Sequence, residues 1–341
     1  MRYAVLGAGA VGSYVGGMLA RAGQPVVLIG RRPHVEAIRR DGLHIGGLVG
    51  PYQVRVEASE SIEAAIGADI LLLCVKSQDT TATCAALAPH LGADVPVVSL
   101  QNGVRNLELI DASPLGAGRA VGGIVVFNAV FMEPGRVQLT TSGELVIGAA
   151  STGGGFGPRL EAMAAELRAA GVGVRLRADI EGVLWSKLLI NLNNGLGAVT
   201  GQTTAEAVRD PLARRIAAAL VGEGIDVTRA AGIRLGKLPK VDPERLRRML
   251  RLPLPTFLVR ALLRLMVDIH PDARGSTWQS LARGQPTEIE FLNGEVVRLA
   301  ESRGLDAPYN RAIRDLVRAA EAAGAPPDLP TTEVARRMGL N

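Results

Sequence analysis

The stretch "YAVLGAGAVGSYVGGMLARAGQPVVLIG", Tyr3 to Gly30, decides how the first half of the chain folds. Its opening run at 3–7 is β-like, the residues through about Ala22 have a helical pattern, and a second apolar run, "PVVLIG" (25–30), follows Gly23. Between first strand and helix, "GAGAVG" sets Gly7, Gly9 and Gly12 in the G-x-G-x-x-G spacing. In that spacing the first glycine allows a tight turn, the second lets the backbone approach a pyrophosphate, and the third lets helix and strand pack closely. The phosphates then meet the exposed N–H groups at the positive end of the helix, here at Ala10 and Val11. A lone glycine pattern can be a turn that holds nothing. With strand, helix and second strand in order, it reads as a dinucleotide-binding unit. The same glycines explain the N-terminus better than a weak signal peptide does.

Further β-like runs continue the alternation. "DILLLCVK" (69–76) and "VPVVSLQ" (95–101) are nearly unbroken apolar runs, as strands buried on both faces require. "GGIVVFNAVF" (122–131) and "GELVIGA" (143–149) predict further strands around a turn at Pro134–Gly135. "STGGGFGP" (151–158) reads as a loop within the same domain, followed by a helix over 159–170 and a strand in "VGVRLR" (172–177). Beyond about Asp179 the periodicity is helical almost throughout. The expected fold class is α/β: a Rossmann-type dinucleotide-binding domain over 1–178, followed by an all-helical domain over 179–341.

Composition narrows the partners. Two domains suit 341 residues. The net charge is only +5 and aromatics make up 3%, too few for base stacking, so nucleic acid is not an expected partner. Cys74 and Cys84 form neither a disulfide framework nor a zinc spacing, which predicts a cytoplasmic protein, with Cys74 a small buried side chain. His34, His44, His90 and His270 lie far apart and suggest no metal site. The apolar run at 252–269 is interrupted by Pro253, Pro255, Arg260 and Arg264, so it predicts an amphipathic or core helix and no membrane span.

The end of the second strand speaks to the choice of cofactor. NAD-binding versions place an acid there for the ribose 2′-hydroxyl. This chain has "GRRPH", with Arg31 and Arg32 and no acid before Glu36. A guanidinium grips a 2′-phosphate that a carboxylate would repel, so NADPH is expected over NADH.

"WSKLLINLNNGLGAV" (185–199) carries a second signal. Trp185, Leu188, Leu189, Leu192, Leu196 and Val199 mark one apolar face of a helix. At about 100° per residue, Lys187, Asn191 and Asn194 fall in a stripe roughly 60° wide on the other side. Such stripes are ordinarily just wet. Here, however, each asparagine costs roughly half a kcal/mol of helix propensity, and no Glu or Arg solubilises the stripe. Amides suit a bound hydroxyl or carbonyl, and a partly desolvated lysine can release a proton near neutral pH. Asn102 and Gly103 in "SLQNGVRN" and Lys76 in "VKSQD" follow strands, where ligands of open α/β sheets bind. Thr287 and Glu290 resemble a capping box, which makes Glu288 a first-turn residue with either a macrodipole or a site role. Ser276 alone would be an ordinary loop or cap serine.

With "GAGAVGS", "VKSQD", "LQNGV", "WSKLLINLNNG" and "PTEIEFLNGEV" in this order over nearly the whole length, the chain resembles the ketopantoate reductase family. The resemblance implies a Rossmann domain and a helical domain with the active site in the cleft between them. It further implies NADPH-dependent reduction of a 2-oxo acid, 2-dehydropantoate, to pantoate in pantothenate biosynthesis. By resemblance Lys187 is the general acid, and Asn102 orients cofactor and carbonyl. Asn191 meets the substrate's hydroxyl end, Ser276 its carboxylate, and Glu288 a hydroxyl or the lysine. Lys76 and Arg31 match cofactor contacts. The family pattern places a second asparagine at the position of Gly195; here Asn194 comes one residue earlier. The segment at 235–270 is longer than in compact members, a candidate for reshaping the pocket or for a homodimer interface. Two other readings stand beside this one: a hydroxyacid dehydrogenase with a different 2-oxo or 3-hydroxy acid, and a non-catalytic NADPH-binding regulator.

Overall fold

The computed structural model describes residues 1–149, 156–238, 242–251 and 274–340. Most of the loop expected at 151–158, and the apolar helix expected at 252–269, lie outside the described residues. The chain divides into two compact units, Met1–Glu181 and Gly182–Asn341.

The first unit follows the order β1 (Tyr3–Leu6), α1 (Ala10–Arg21), β2 (Val26–Ile29), α2 (Arg32–Asp41), β3 (Leu43–Gly47), β4 (Tyr52–Val54) and β5 (Glu57–Ser59). It continues with β6 (Ile70–Leu73), α3 (Thr80–Leu87), β7 (Val97–Ser99), α4 (Asn106–Asp111), β8 (Ala120–Val125), β9 (Asn128–Glu133) and β10 (Arg136–Thr141). It closes with β11 (Glu144–Ala149), α5 (Gly157–Ala169) and β12 (Gly173–Leu176). Eight strands form one sheet in the order β12-β11-β8-β7-β6-β1-β2-β5. Every neighbouring pair in it is parallel except β8 with β11. The apolar runs feed both faces alternately. Tyr3, Val5, Val26, Leu28, Ile70 and Leu72 join one core with α1 and α5. Ala4, Leu6, Val27, Ile29, Leu71 and Leu73 join another with α3 and α4. Period-two side chains on a doubly covered sheet leave no polar face, which is why these strands read as continuous apolar runs.

A second sheet, ordered β4-β3-β10-β9, was not expected. "GGIVVFNAVF" is not one strand: β8 belongs to the large sheet, β9 to the small one, and the Pro134–Gly135 turn joins β9 to β10. The small sheet packs on α1 through Gly17, where a β-carbon would come within 2.7 Å of both Leu43 Cδ2 and Ile45 Cδ1. Its strands are short and half polar, so their pairing depends on that contact more than on local pattern.

The second unit is helical through its described residues. Its helices are α6 (Ile180–Asn191), α7 (Asn193–Thr200), α8 (Thr204–Arg209), α9 (Pro211–Ala230), α10 (Pro243–Arg251), α11 (Ser276–Ala282), α12 (Asn293–Glu301), α13 (Pro308–Ala323) and α14 (Thr331–Arg337), with a 3-10 turn at Ile289–Phe291. Among the described residues no helix is long and apolar enough to cross a membrane.

Candidate active site

Sheet register places the first half of the site. Leu6 stands level with Ile29 and Leu73, and Leu73 with Ser99. The segments that follow these strands carry Gly7–Gly9, Arg31, Lys76 and Asn102, and all leave the same carboxyl edge, where parallel sheets bind ligands. Gly7 has φ +98°, and a β-carbon there would sit 2.5 Å from the carbonyl carbon of Cys74, so turn and neighbouring strand both demand glycine. At Gly12 the added carbon would come 2.4 Å from the Gly7 oxygen, which is the close helix–strand packing. Gly9 differs. Its φ is −88°, and a β-carbon would meet no atom of the chain closer than 4.0 Å. Neither conformation nor packing explains glycine at this exposed position. The open space over Gly9 that a β-carbon would fill fits the close approach of a pyrophosphate beside Ala10 and Val11 at the start of α1.

Arg31 is exposed at the N-cap of α2. Arg32 is committed elsewhere, 2.7 Å from Glu36, so that acid already has a partner. Two residues further on, buried His34 ties α2 to its surroundings, an anchor that sequence reasoning missed. Its Nδ1 accepts from the Gly135 amide at 2.8 Å, and its Nε2 lies 2.9 Å from Ser13 Oγ on α1. Because Nδ1 accepts, the neutral ring donates from Nε2. Burial lowers this imidazole to about 4. Lys76 and Asn102 are both partly buried at the edge. Desolvation raises the Cys74 thiol to about 12, so it is no nucleophile.

The second unit carries the lysine. The six apolar positions of its segment are all buried, as the period required. The single helix expected over 185–199 is instead two, interrupted at Leu192. The Leu192 carbonyl accepts from Asn293 Nδ2 at 3.3 Å, and a side chain inserted in the ladder is a known cause of such breaks. Lys187 and Asn191 stay one turn apart on α6, on one face. Asn194 belongs to α7, although Leu192 between the two helices keeps helical dihedrals (φ −55°, ψ −29°). Asn194 lies against the start of α11: a β-carbon on Gly275 would fall 2.9 Å from its Oδ1, which places it beside exposed Ser276. Gly195 is explained by packing, since a β-carbon there would lie 2.5 Å from Ile313 Cγ2.

Lys187 is partly buried and desolvation lowers its pKa. Among the described residues no carboxylate pairs with it. The expected capping box at 287–290 does not form. Thr287 Oγ1 instead accepts from the Ile289 amide at 3.2 Å, and Glu288 caps only the 3-10 turn by position, without a side-chain cap bond. Asn293 begins the true helix. A complete box stands at Thr203 and Glu206, which sequence reading passed over. No cluster of metal-ligating side chains occurs among the described residues.

An open, mainly parallel sheet with a G-x-G-x-x-G turn at its carboxyl edge, joined in sequence to a helical unit bearing a desolvated lysine, defines a nicotinamide-dependent oxidoreductase. Comparison with known proteins narrows that class. Residues 3–152 match the family described as ketopantoate reductase PanE/ApbA, and residues 179–321 match its C-terminal part. A 2-dehydropantoate 2-reductase of Pyrococcus horikoshii is 33% identical over 325 residues, covering 95% of this chain and 99% of that one. The structure of a PanE/ApbA family ketopantoate reductase from Ralstonia eutropha superposes with a TM-score of 0.80 at 36% identity, over 95% of this chain and 99% of that one. D-mandelate dehydrogenase, solved with NADH and anilino(oxo)acetate, reaches a TM-score of 0.79 over 95% and 99% of the two chains. It is 22% identical, so that likeness concerns the fold alone. The chain belongs to the ketopantoate reductase family.

Proposed function

We propose that this protein reduces the 2-oxo group of 2-dehydropantoate to the hydroxyl of pantoate with NADPH. The observation that carries the reading is Lys187, a desolvated cation on an otherwise apolar helix with an amide one turn away. When bound, NADPH supplies the hydride that reaches the carbonyl carbon. The chain's own part is to bind, orient and supply a proton. Backbone amides from Gly7 through Gly12 hold the pyrophosphate, Arg31 the 2′-phosphate, and Lys76 a cofactor contact. Asn102 orients cofactor and carbonyl.

Lys187 Nζ donates its proton to the carbonyl oxygen as negative charge develops there. An ammonium in low dielectric stabilises that charge more than water would. Lowering its pKa also eases the transfer, since a stronger acid gives up its proton more readily. Asn191 and Asn194 address the substrate's hydroxyl end, Ser276 its carboxylate, and Glu288 a hydroxyl or the lysine. With this reading go a small-molecule substrate, a cytoplasmic location, room for a homodimer, and neither nucleic-acid nor membrane partners.

The test is loss of NADPH absorbance on adding ketopantoate, with wild type and Lys187→Ala side by side. Turnover is expected in the wild type and a loss of about 10²–10⁴-fold in the variant. A wild type that binds NADPH but ignores ketopantoate moves the assay to other 2-oxo acids. Activity there would mean a different substrate, and silence throughout would favour the regulator.

A further inference from the structure

Five polar side chains are buried just beneath the carboxyl edge, and the proposed chemistry uses none of them. Ser77, Thr80, Ser99, Gln101 and Asn106 are each at most 7% exposed. Gln101 Nε2 donates to the Val75 carbonyl at 3.0 Å and to Thr80 Oγ1 at 2.8 Å, while its Oε1 accepts from Ser99 Oγ at 2.9 Å. Thr80 Oγ1 donates to Asn106 Oδ1 at 3.1 Å. Asn106 Nδ2 donates to Ser77 Oγ at 3.1 Å and to the Asn102 carbonyl at 2.7 Å, and Ser77 Oγ donates to that same carbonyl at 2.8 Å.

These contacts fix every proton. Each amide hydrogen of Gln101 and Asn106 has its own acceptor, and each hydroxyl hydrogen one destination. Burying so many polar groups is costly unless all are satisfied, and apolar side chains would fill the same space with less risk. What the polar choice adds is direction. The network's backbone ends are the carbonyls of Val75, adjoining Lys76, and of Asn102. Val75 in turn abuts the Gly7 turn, since a β-carbon on Gly7 would lie 2.5 Å from its nitrogen.

We propose that Asn106 is a positioning residue whose side-chain amide clamps the Asn102 backbone and, through Ser77, Thr80 and Gln101, locks the loops after β6 and β7 into one piece, so that Lys76 and Asn102 are presented together. The clamp rests on the role given above to Asn102. Two donors on one carbonyl hold the peptide that follows Asn102, and with it the direction in which the Asn102 side chain leaves the backbone. A buried, fully satisfied network rigidifies what it touches, which is what a site with tolerances near 1 Å needs.

The test is a double-mutant cycle between Asn102→Ala and Asn106→Asp, which keeps the shape of Asn106 but removes both donors. Turnover, NADPH affinity by fluorescence, and amide hydrogen exchange of residues 101–105 in the ligand-free enzyme are read together. Asn106→Asp is expected to lower kcat roughly tenfold and speed exchange at 101–105. In kcat the double variant should be no worse than Asn102→Ala alone, because the effect that Asn106 exerts through Asn102 has nothing left to position, while a loss carried by Lys76 shows as weaker NADPH affinity. Losses that multiply, or an unchanged kcat in Asn106→Asp, would overturn the clamp while leaving Asn102 in its role. A harmless Asn102→Ala would overturn that role and the clamp with it. Should Asn106→Asp fail to fold, Thr80→Val removes the donor to Asn106 and runs the same cycle.

Discussion

The carboxyl edge of the large sheet and the lysine helix solve opposite problems. At the edge, the ligand-facing atoms are largely backbone, fixed by strand register and by a neutral, fully satisfied polar network. On α6 and α7 the proposed working atoms belong to side chains, and the backbone between and beyond them is held from outside, by Asn293 at the Leu192 carbonyl and by Ile313 against Gly195. In the proposed function the edge holds a large charged ligand without moving, and a buried neutral network supports the loops that carry Lys76 and Asn102. In the proposed function the helix delivers one proton, and for that a single desolvated cation is useful while a paired one would be slower to part with its charge. Rigid polarity serves binding here, and incomplete solvation serves chemistry.

That contrast can be broken most severely at the glycine turn. Gly7→Ala forces a side chain into positive φ and into the Cys74 backbone, so it should cost more than about 3 kcal/mol, or prevent folding, in a denaturant titration. Gly9→Val, two residues away, should leave stability within about 0.5 kcal/mol and yet weaken NADPH binding at least roughly tenfold. Equal stability losses in the two variants would remove the argument that Gly9 exists for a ligand.

Next in size is an acid effect at His34. Burial sets its folded pKa at about 4 against an ordinary 6.5, so the unfolded chain takes up a proton that the native state refuses. Stability from this group is complete above pH 6.5 and drains as pH falls toward 4, by about 3 kcal/mol. His34→Gln should flatten the slope of unfolding free energy between those values; an unaltered slope would place the acid sensitivity elsewhere.

Arg31→Ala sharpens the account of cofactor choice. NADPH affinity should fall about 10–100-fold while NADH affinity holds, since only the former loses a charge-assisted contact. Parallel losses for both cofactors would count against a 2′-phosphate contact. The smallest effect is expected at Gly195→Asn, which introduces the asparagine that the family resemblance led one to expect there. The new side chain must displace Ile313 Cγ2, a branch methyl that moves only as the whole side chain turns about χ1, so the unfolding free energy should fall by at least about 1 kcal/mol in a urea titration. No loss of stability would mean that packing is not why glycine stands there.

What could be read from sequence follows how local each constraint is. The glycine turn and the buried strands were legible because turn geometry and double burial leave their marks within a few residues. The small sheet was not, because β10 pairs with β3 across about ninety residues and the sheet packs on Gly17 of α1. Lys187 and Asn191 showed as one face because they share a helix. The interruption between them and Asn194 was not legible, because the Leu192 carbonyl is bonded by Asn293, about a hundred residues away. Ser77, Gln101 and Asn106 were visible in the quoted motifs, yet their common network appears only when two loops meet.

The account turns on Lys187 acting as a desolvated acid, and the pH dependence of kcat for ketopantoate reduction tests this most directly. Desolvation lowers the lysine's pKa, and the protonated form is the donor, so kcat should be full at lower pH and fall as pH rises through a midpoint below lysine's ordinary 10.5. Lys187→Arg, which stays charged throughout, should abolish that alkaline limb at a much reduced rate. A wild-type profile flat up to lysine's ordinary range, or an alkaline limb that survives in Lys187→Arg, would contradict the assignment.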